Sequence, residues 1–328
     1  MKKIMTYLFV AFSALSILSA CSSDDNPPTK SEAEGDIQVV TSIFPAYEIT
    51  RAIAGEEANV SLMVGANEDA HHYEPSAQAV ASVNEADVFI YSSDEMEFWV
   101  ESLLAVVEND DLQVVELAEG LDLSVEDPHA EDTHDDHQDH NHEHDDYSHE
   151  GHDHGDVDPH FWLDPVAVNN QLSVIVEAFA VVNPGNQTIY EENAEDFSNK
   201  LNDLHQAYEE ALGGASRREF VVQHQAFGHL ANRYDLDQIA VGGLTTEVEP
   251  APRELAGIVD FVREQDVPVI YYQSGGNSAI AETIAQETAT GIAVLHDLES
   301  EPVSVSEEEN GYLEAMAQNL EQLKKSID

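Results

Sequence analysis

Three histidines stand at positions where an α/β protein commonly binds a ligand. His71 follows a predicted strand, His160 precedes a predicted helix, and His224 directly follows another predicted strand. Open α/β sheets bind ligands beyond the carboxyl ends of their strands. Each histidine alone could be a hydrogen-bonded structural residue. The three together, in a chain that holds 16 histidines, favour a transition-metal site, because neutral imidazole is a common ligand of such metals.

A second concentration of histidine lies within residues 126–158. Nine histidines alternate there with Asp, Glu, Asn and Gly: His129, His134, His137, His140, His142, His144, His149, His152 and His154. The run has almost no apolar side chains and cannot bury enough surface to fold alone, so we interpret it as a disordered His/Asp-rich loop. Its composition favours Zn²⁺ over Ca²⁺ or Mg²⁺. Since ordering a loop costs entropy, we expect auxiliary metal sites here that are weaker and plural.

Apolar runs alternate with helical segments through the rest of the chain. The predicted strands are 37–43, 59–64, 87–91, 112–117, 220–223, 238–241, 267–272 and 291–295. Helical segments lie between most of them, as in 46–54 and 76–85. Such alternation predicts an α/β fold built around mainly parallel sheets.

A long amphipathic segment separates two halves of this pattern. Apolar residues recur at three- and four-residue steps from Gln187 to Leu212, and Gly213-Gly214 follows as a helix stop. A helix of about 26 residues spans about 39 Å. We therefore predict two similar lobes, at 37–185 and 213–328, joined by one long rigid linking helix at 186–212. The metal site is expected in the cleft between the lobes.

The first 21 residues are predicted to direct export, and the next 15 to form a tether. Lys2 and Lys3 precede an apolar stretch that ends in Leu18-Ser19-Ala20-Cys21, which resembles a bacterial lipoprotein signal. Cys21 is the only cysteine, and it stands where lipidation requires one. We interpret 1–21 as a lipoprotein signal peptide and 22–36 as a polar tether. The protein is then exported to the periplasm or cell surface and held at the membrane by its lipid.

The charge of the chain excludes one class of partner. Only 12 Lys and Arg stand against 66 Asp and Glu, which gives a formal net charge of −54. Nucleic acid binding depends on basic residues that neutralise phosphates, so we expect no nucleic acid partner. Mutual repulsion of the acidic side chains should weaken at high ionic strength, which suggests a salt-rich, halophilic habitat.

Further short motifs accompany the histidines along the chain. They are Phe44-Pro45-Ala46-Tyr47, Glu85-Ala86-Asp87-Val88, Glu97-Phe98-Trp99 and Glu247-Val248-Glu249-Pro250-Ala251-Pro252. With the order of the histidine segments and the His/Asp-rich insertion, they resemble the metal-binding (cluster A-I) solute-binding proteins of bacterial ABC transporters, particularly the zinc-specific branch. The resemblance covers nearly the whole mature chain. It implies the two-lobed form with a rigid linking helix.

The same resemblance implies a set of metal ligands. His71, His160 and His224 correspond to the three histidine ligands of the family. Glu299 matches the glutamate of zinc-binding relatives, while His296 or Asp297 are alternative fourth ligands. Three imidazoles and one oxygen suit tetrahedral Zn²⁺. Because the ligands must be deprotonated, zinc affinity should fall as the pH drops through the histidine range near about 6.5.

The resemblance therefore predicts a monomeric protein, not an enzyme, that captures Zn²⁺ and delivers it to an ABC transporter permease and its ATPase. A zinc-dependent hydrolase is the first alternative, but the sequence has no His-Glu-x-x-His or Gly-x-Ser-x-Gly motif and no spare cysteine. A surface adhesin or zinc buffer without a transporter remains open, because no motif marks a docking face. A manganese- or nickel-binding variant is a further alternative, although a single carboxylate disfavours manganese.

Overall fold

The computed structural model describes residues 37–66, 68–125, 157–244, 251–302 and 310–327. Several predictions fall outside the described residues. These are the signal peptide 1–21 with Cys21, the tether 22–36, the nine histidines between 129 and 154, and the motif residues 247–250.

The first sheet consists of four parallel strands in the order β2-β1-β3-β4. They are β1 Ile37–Thr41, β2 Ala58–Leu62, β3 Val88–Tyr91 and β4 Gln113–Glu116, with helices α1 Phe44–Ala54, α2 Ala77–Glu85 and α3 Trp99–Leu104. In the register, Val39 pairs with Val60 on one side and Val88 on the other. All four residues of β3 are buried, as expected for a strand covered on both faces.

Two long helices follow the first sheet, α4 Pro165–Val182 and α5 Gln187–Leu212. The Asp164 side chain caps α4 by accepting from the backbone N–H of Val166, at 2.9 Å. By length and composition α4 could cross a membrane, but its inner face is buried in the protein core. The buried residues of α5 are the six that the sequence predicts for its apolar face: Tyr190, Phe197, Leu201, Leu204, Tyr208 and Leu212.

The second sheet repeats the topology of the first, with four parallel strands in the order β6-β5-β7-β8. The strands are β5 Glu219–Val222, β6 Asp237–Ala240, β7 Val269–Gln273 and β8 Gly291–Leu295, with helices α6 Gly228–Arg233, α7 Pro252–Glu264 and α8 Ala279–Thr288. The predicted strand 267–272 begins two residues too early. Pro268 has no N–H to donate to a neighbouring strand, so pairing starts after it.

A last helix, α9 Gly311–Ile327, packs against α1 and α5 and also against β5 and β8. Helix α9 therefore contacts elements of both lobes and packs beside the linking helix α5. One continuous hydrophobic core extends from the first sheet through α4, α5 and α9 to the second sheet. A smaller separate core lies between the second sheet and the helices α7 and α8. The prediction of two parallel-sheet lobes joined by a long helix is confirmed.

Candidate metal centre

Four side chains from distant parts of the chain converge at one point. His71, His160, His224 and Glu299 each offer a ligand atom, and these atoms all lie within 4.8 Å of one another. All four residues are buried. The sequence placed these four residues in one predicted site, and the structure brings them together.

Each of the four residues lies in a loop next to a regular element. His71 follows β2, His224 follows β5 and Glu299 follows β8. His160 directly precedes a short 3-10 turn, Phe161–Leu163, that leads into α4. Strands in a parallel sheet all end at the same edge, so the loops after β5 and β8 meet beside the loop after β2 at the junction of the two sheets.

The spacing of the ligand atoms suits tetrahedral zinc. Glu299 Oε1 lies 2.9 Å from His160 Nε2, 3.4 Å from His224 Nε2 and 3.6 Å from His71 Nε2. In a tetrahedral site with bonds of about 2.0–2.1 Å, neighbouring ligand atoms lie about 3.3 Å apart. The three distances bracket this value, so small side-chain adjustments suffice to place an ion among these atoms.

Carboxylates hold the outer nitrogens of two of these histidines. His160 Nδ1 lies 2.6 Å from Asp158 Oδ1, and His224 Nδ1 lies 3.3 Å from Asp297 Oδ2. A carboxylate on Nδ1 keeps the proton there and leaves Nε2 free to bind metal. His224 Nε2 also lies 2.9 Å from the carbonyl oxygen of Leu244. A nitrogen bound to zinc cannot donate to that carbonyl, so metal binding requires this hydrogen bond to break.

His71 differs from the other two histidines. Its backbone N–H donates to Asp69 Oδ1 at 2.9 Å, but among the described residues neither ring nitrogen has a hydrogen-bond partner. A buried polar atom without a partner is costly, and a bound metal would satisfy it. The side chain therefore lies in the cluster as a metal ligand would.

The site brings histidine and carboxylate side chains, which can carry opposite charges, together in the protein interior. Burial by itself would lower the pKa of His160, but Asp158 and Glu299 outweigh it and raise that pKa to about 10. Burial also opposes the charged form of His224, whose pKa is nevertheless raised by Glu299 and Asp297. Burial would raise the pKa of Glu299, yet the nearby histidines hold it well below its usual value. Zn²⁺ must therefore compete with protons for these nitrogens.

The alternative fourth ligands lie outside the cluster. His296 Nε2 faces Gln318 Oε1 at 2.9 Å, on α9. Asp297 supports the outer nitrogen of His224. Of the two, neither belongs to the group of four that the structure assembles, whereas Glu299 does.

The remaining histidines of the described residues make other contacts. His72 is half-exposed and lies 3.5 Å from Asp69 Oδ2. His205 Nδ1 lies 3.1 Å from the hydroxyl of Tyr234. His229 Nε2 donates to the carbonyl oxygen of Asp158 at 2.7 Å. The nine histidines between 129 and 154 lie outside the described residues.

Sequence reasoning missed three contacts of the site. They are the contact of Asp158 with His160, that of Asp297 with the outer nitrogen of His224, and that of the Leu244 carbonyl oxygen with His224. Asp158 could have been found, because an Asp two residues before a residue commonly accepts its backbone N–H, and here that bond to His160 N is 3.0 Å. Asp297 was considered only as a ligand. Leu244 acts through its backbone, which no side-chain pattern reveals.

Comparison with known proteins gives a consistent result. The family model described as "Zinc-uptake complex component A periplasmic" (ZnuA) matches residues 39–326. The chain is 34% identical over 328 residues to the zinc-binding lipoprotein AdcA of Streptococcus pneumoniae R6, covering 100% of this chain and 62% of that protein. It is also 34% identical over 327 residues to the high-affinity zinc uptake system protein ZnuA of Bacillus subtilis 168, covering 98% of this chain and 99% of that protein.

A solved structure extends the comparison to three dimensions. The Zn(II)-bound ZnuA-like domain of Streptococcus pneumoniae AdcA matches with a TM-score of 0.72 and 32% identity, covering 90% of this chain and 100% of that domain. The chain spans only 62% of the full length of AdcA. The likeness therefore lies in the ZnuA-like domain of that longer relative.

Proposed function

The chain belongs to the family of periplasmic zinc-uptake complex component A proteins, and from this premise we propose that it captures Zn²⁺ outside the cytoplasm and delivers it to an ABC transporter for uptake. Zinc is then the cargo of the protein. The proposed ligands are His71, His160, His224 and Glu299.

One observation carries this proposal: three imidazole nitrogens surround one carboxylate oxygen at 2.9, 3.4 and 3.6 Å. Such a set offers three nitrogens and one oxygen, the donor types that zinc prefers in a four-coordinate site. Manganese, magnesium and calcium favour more oxygen ligands. The donor set therefore supports zinc among the common divalent ions.

Burial of the ligands argues against the hydrolase alternative. A catalytic zinc site keeps one coordination position open for water or substrate. Here the protein supplies four donor atoms, and all four residues are buried. The family is named for zinc uptake and not for a reaction. We therefore propose binding and transfer of the ion without catalysis.

Export and anchoring follow from the first residues and from the names of relatives. The signal-like segment ends at Cys21, and AdcA is named a lipoprotein. We propose that a lipid on Cys21 anchors the monomer to the membrane, where it meets a permease whose ATPase drives uptake. Labelling with a radioactive fatty acid should mark the wild type and leave Cys21→Ser unlabelled.

The histidines between 129 and 154 are proposed as auxiliary zinc sites. Their composition supports weak and plural binding. Ser124 and Val157, described residues on either side of this segment, form an antiparallel bridge. A short Gly-Ser linker can therefore replace 129–154 with little expected effect on the four proposed ligands.

Competition titration with a zinc chelator tests the assignment. His160→Ala and His224→Ala should each lower zinc affinity by at least about 100-fold, beyond the roughly 10–100-fold typical of losing an outer partner. His71→Ala should also weaken binding clearly. His72→Ala is the matched control, because its side chain is half-exposed beside the site, and it should bind like the wild type.

Deletion of 129–154 should lower the number of zinc ions bound and leave the tightest one in place. Undiminished tight binding in all three alanine variants of the proposed ligands would contradict the site. Loss of the tightest zinc ion on deletion of 129–154 would indicate that the tightest site lies in that segment.

A further inference from the structure

The His160 segment (residues 158–164) is fastened to the C-terminal lobe, although it precedes the linking helix in the chain. The carbonyl oxygen of Asp158 accepts from His229 Nε2 of α6 at 2.7 Å. At the other end of the segment, Asp164 Oδ2 accepts from Arg233 Nε and Nη2, at 2.8 and 2.7 Å. Arg233 is the last residue of α6. Both ends are thus tied to one helix of the second sheet, and the Asp158 N–H makes a further hydrogen bond, at 2.9 Å, to the carbonyl oxygen of Leu123 in the first lobe.

Trp162 joins the middle of the His160 segment to the loop after β8. Its indole N–H donates to the carbonyl oxygen of Asp297 at 2.7 Å, and its own carbonyl oxygen accepts from the hydroxyl of Tyr312 at 2.8 Å. Its ring lies edge-on to the His160 ring, with centroids 5.3 Å apart. The side chain is buried, with 1% of the residue exposed. Trp162 therefore touches one proposed ligand and fixes the backbone that carries another.

The contacts of Asp297 extend this link to the third ligand. Its side chain holds His224 Nδ1, and Glu299 follows two residues later. His160, His224 and Glu299 are thus supported through one connected set of contacts that includes Trp162. Ligands that are held in place before the ion arrives lose less freedom on binding, which raises affinity.

His71 is supported from the other lobe. The indole N–H of Trp99, the first residue of α3, donates to the carbonyl oxygen of Ala70 at 3.1 Å. Tyr73 packs edge-on against the Trp99 ring, with centroids 5.1 Å apart. Each half of the site therefore has its own tryptophan, which donates to a backbone carbonyl next to the ligands.

We propose that Trp162 is a positioning residue that makes His160, His224 and Glu299 one preassembled three-ligand face, and that His71 closes the site separately from the N-terminal lobe. This inference rests on the proposed function. By their supporting contacts, His160, His224 and Glu299 form one group and His71 stands apart. By chain order, two ligands precede the linking helix α5 and two follow it.

A double-mutant cycle tests this division, with zinc affinity as the readout. Trp162→Phe should lower zinc affinity by about tenfold, at the lower end of the range for outer partners, both in the wild type and in His71→Ala. Trp99→Phe, the matched control, should lower affinity in the wild type and have no further effect once His71 is removed. A general loss of stability would lower affinity in both backgrounds for both tryptophans, so it does not mimic this pattern.

Kinetics give a second readout. His71→Ala should release zinc faster and bind it at nearly the wild-type rate, because the three-ligand face remains to receive the ion. His160→Ala should slow binding as well. Stopped-flow exchange with a chromophoric chelator measures both rates.

Three results would overturn the inference. One is a Trp162→Phe effect that disappears in His71→Ala. Another is a Trp99→Phe effect on zinc affinity that persists in full in the His71→Ala background. The third is an equal loss of zinc affinity in His71→Ala and His160→Ala. If Trp162→Phe does not fold, Tyr312→Phe replaces it in the cycle, since it removes only the hydroxyl that holds the Trp162 carbonyl. Wild-type binding in His160→Ala and His224→Ala would instead reject the proposed function itself.

Discussion

In each lobe a buried glutamate lies beyond the carboxyl end of a strand. Glu97 follows β3 of the first sheet, and Glu299 follows β8 of the second. Glu97 accepts hydrogen bonds from its own lobe: the Ser42 hydroxyl, the Ser92 N–H at 3.0 Å and the Ser93 N–H at 2.8 Å. Glu299 Oε1 instead faces the Nε2 atoms of the three histidines, at 2.9 Å for His160, 3.4 Å for His224 and 3.6 Å for His71.

The pKa values of the two carboxyl groups are shifted in opposite directions, although burial would raise both. For Glu97, burial outweighs the hydrogen bonds from Ser42 and the backbone and raises the pKa to about 7. For Glu299, the histidines outweigh burial and hold the pKa well below its usual value. A buried acid near a strand end is therefore not in itself a metal ligand. The histidines around Glu299 can release a proton and bind a metal ion, so Glu299 is free to act as a metal ligand with them. Glu97 is held by hydrogen bonds from a serine hydroxyl and backbone N–H groups, which cannot bind a metal ion in this way.

The strongest test of this comparison exchanges each carboxylate for an amide. Glu299→Gln should lower zinc affinity by at least about 100-fold, more than loss of an outer partner, because a neutral amide is a poor zinc ligand. Glu97→Gln should leave zinc affinity within about threefold of the wild type, a change of well under 1 kcal/mol. Competition titration measures both. Equal losses in the two variants would show that the two acids do not differ as described.

The pH dependence of folding stability tests the raised pKa of Glu97. Its pKa of about 7 in the folded chain exceeds the ordinary value of 4.5, so the folded state holds this proton more tightly than the unfolded state. Between these two values the contribution of Glu97 to the free energy of unfolding should fall as pH rises, and this contribution should level off above pH 7. The full change from this one group is about 3 kcal/mol.

Urea unfolding of the zinc-free protein at pH 5, 6, 7 and 8 measures this dependence. Glu97→Gln should lack the part of the fall that Glu97 contributes, whereas Glu101→Gln, on the exposed side of α3, should follow the wild type. Parallel curves for the wild type and Glu97→Gln would contradict a raised pKa.

Salt should produce the smallest of the three effects on the protein. Because it screens exposed charges, its effect on the melting temperature should not depend on either buried acid. The chain carries 66 Asp and Glu against 12 Lys and Arg, and ions screen repulsion between exposed charges while reaching buried ones little. The melting temperature should rise by a few degrees between low salt and about 1 M NaCl, where the screening length is only about 3 Å. The slopes for the wild type and Glu97→Gln should agree. A flat or falling melting temperature would remove the halophilic interpretation.

Local sequence patterns predicted much of the fold. Alternating apolar runs located the strands to within about two residues, and the three- and four-residue steps of α5 identified its buried face. These features depend on neighbours in the chain, so the sequence carries them directly. The extents of α4 and α9 were not predicted. The apolar residues of α4 leave only a weak one-sided pattern, and α9 acquires its place by packing on both lobes.

For the metal site, the sequence by itself supplied the residue types. The histidines lie at element ends, and the motif around Glu299 selected it over His296 and Asp297 by resemblance alone. Whether those atoms meet depends on contacts across more than 200 residues, which no local pattern encodes. Tertiary structure decided that Asp297 supports His224, that His296 turns to Gln318 and that the His160 segment packs on the C-terminal lobe. Ligand geometry is set by the packing of two lobes, whereas ligand chemistry belongs to the side chains themselves.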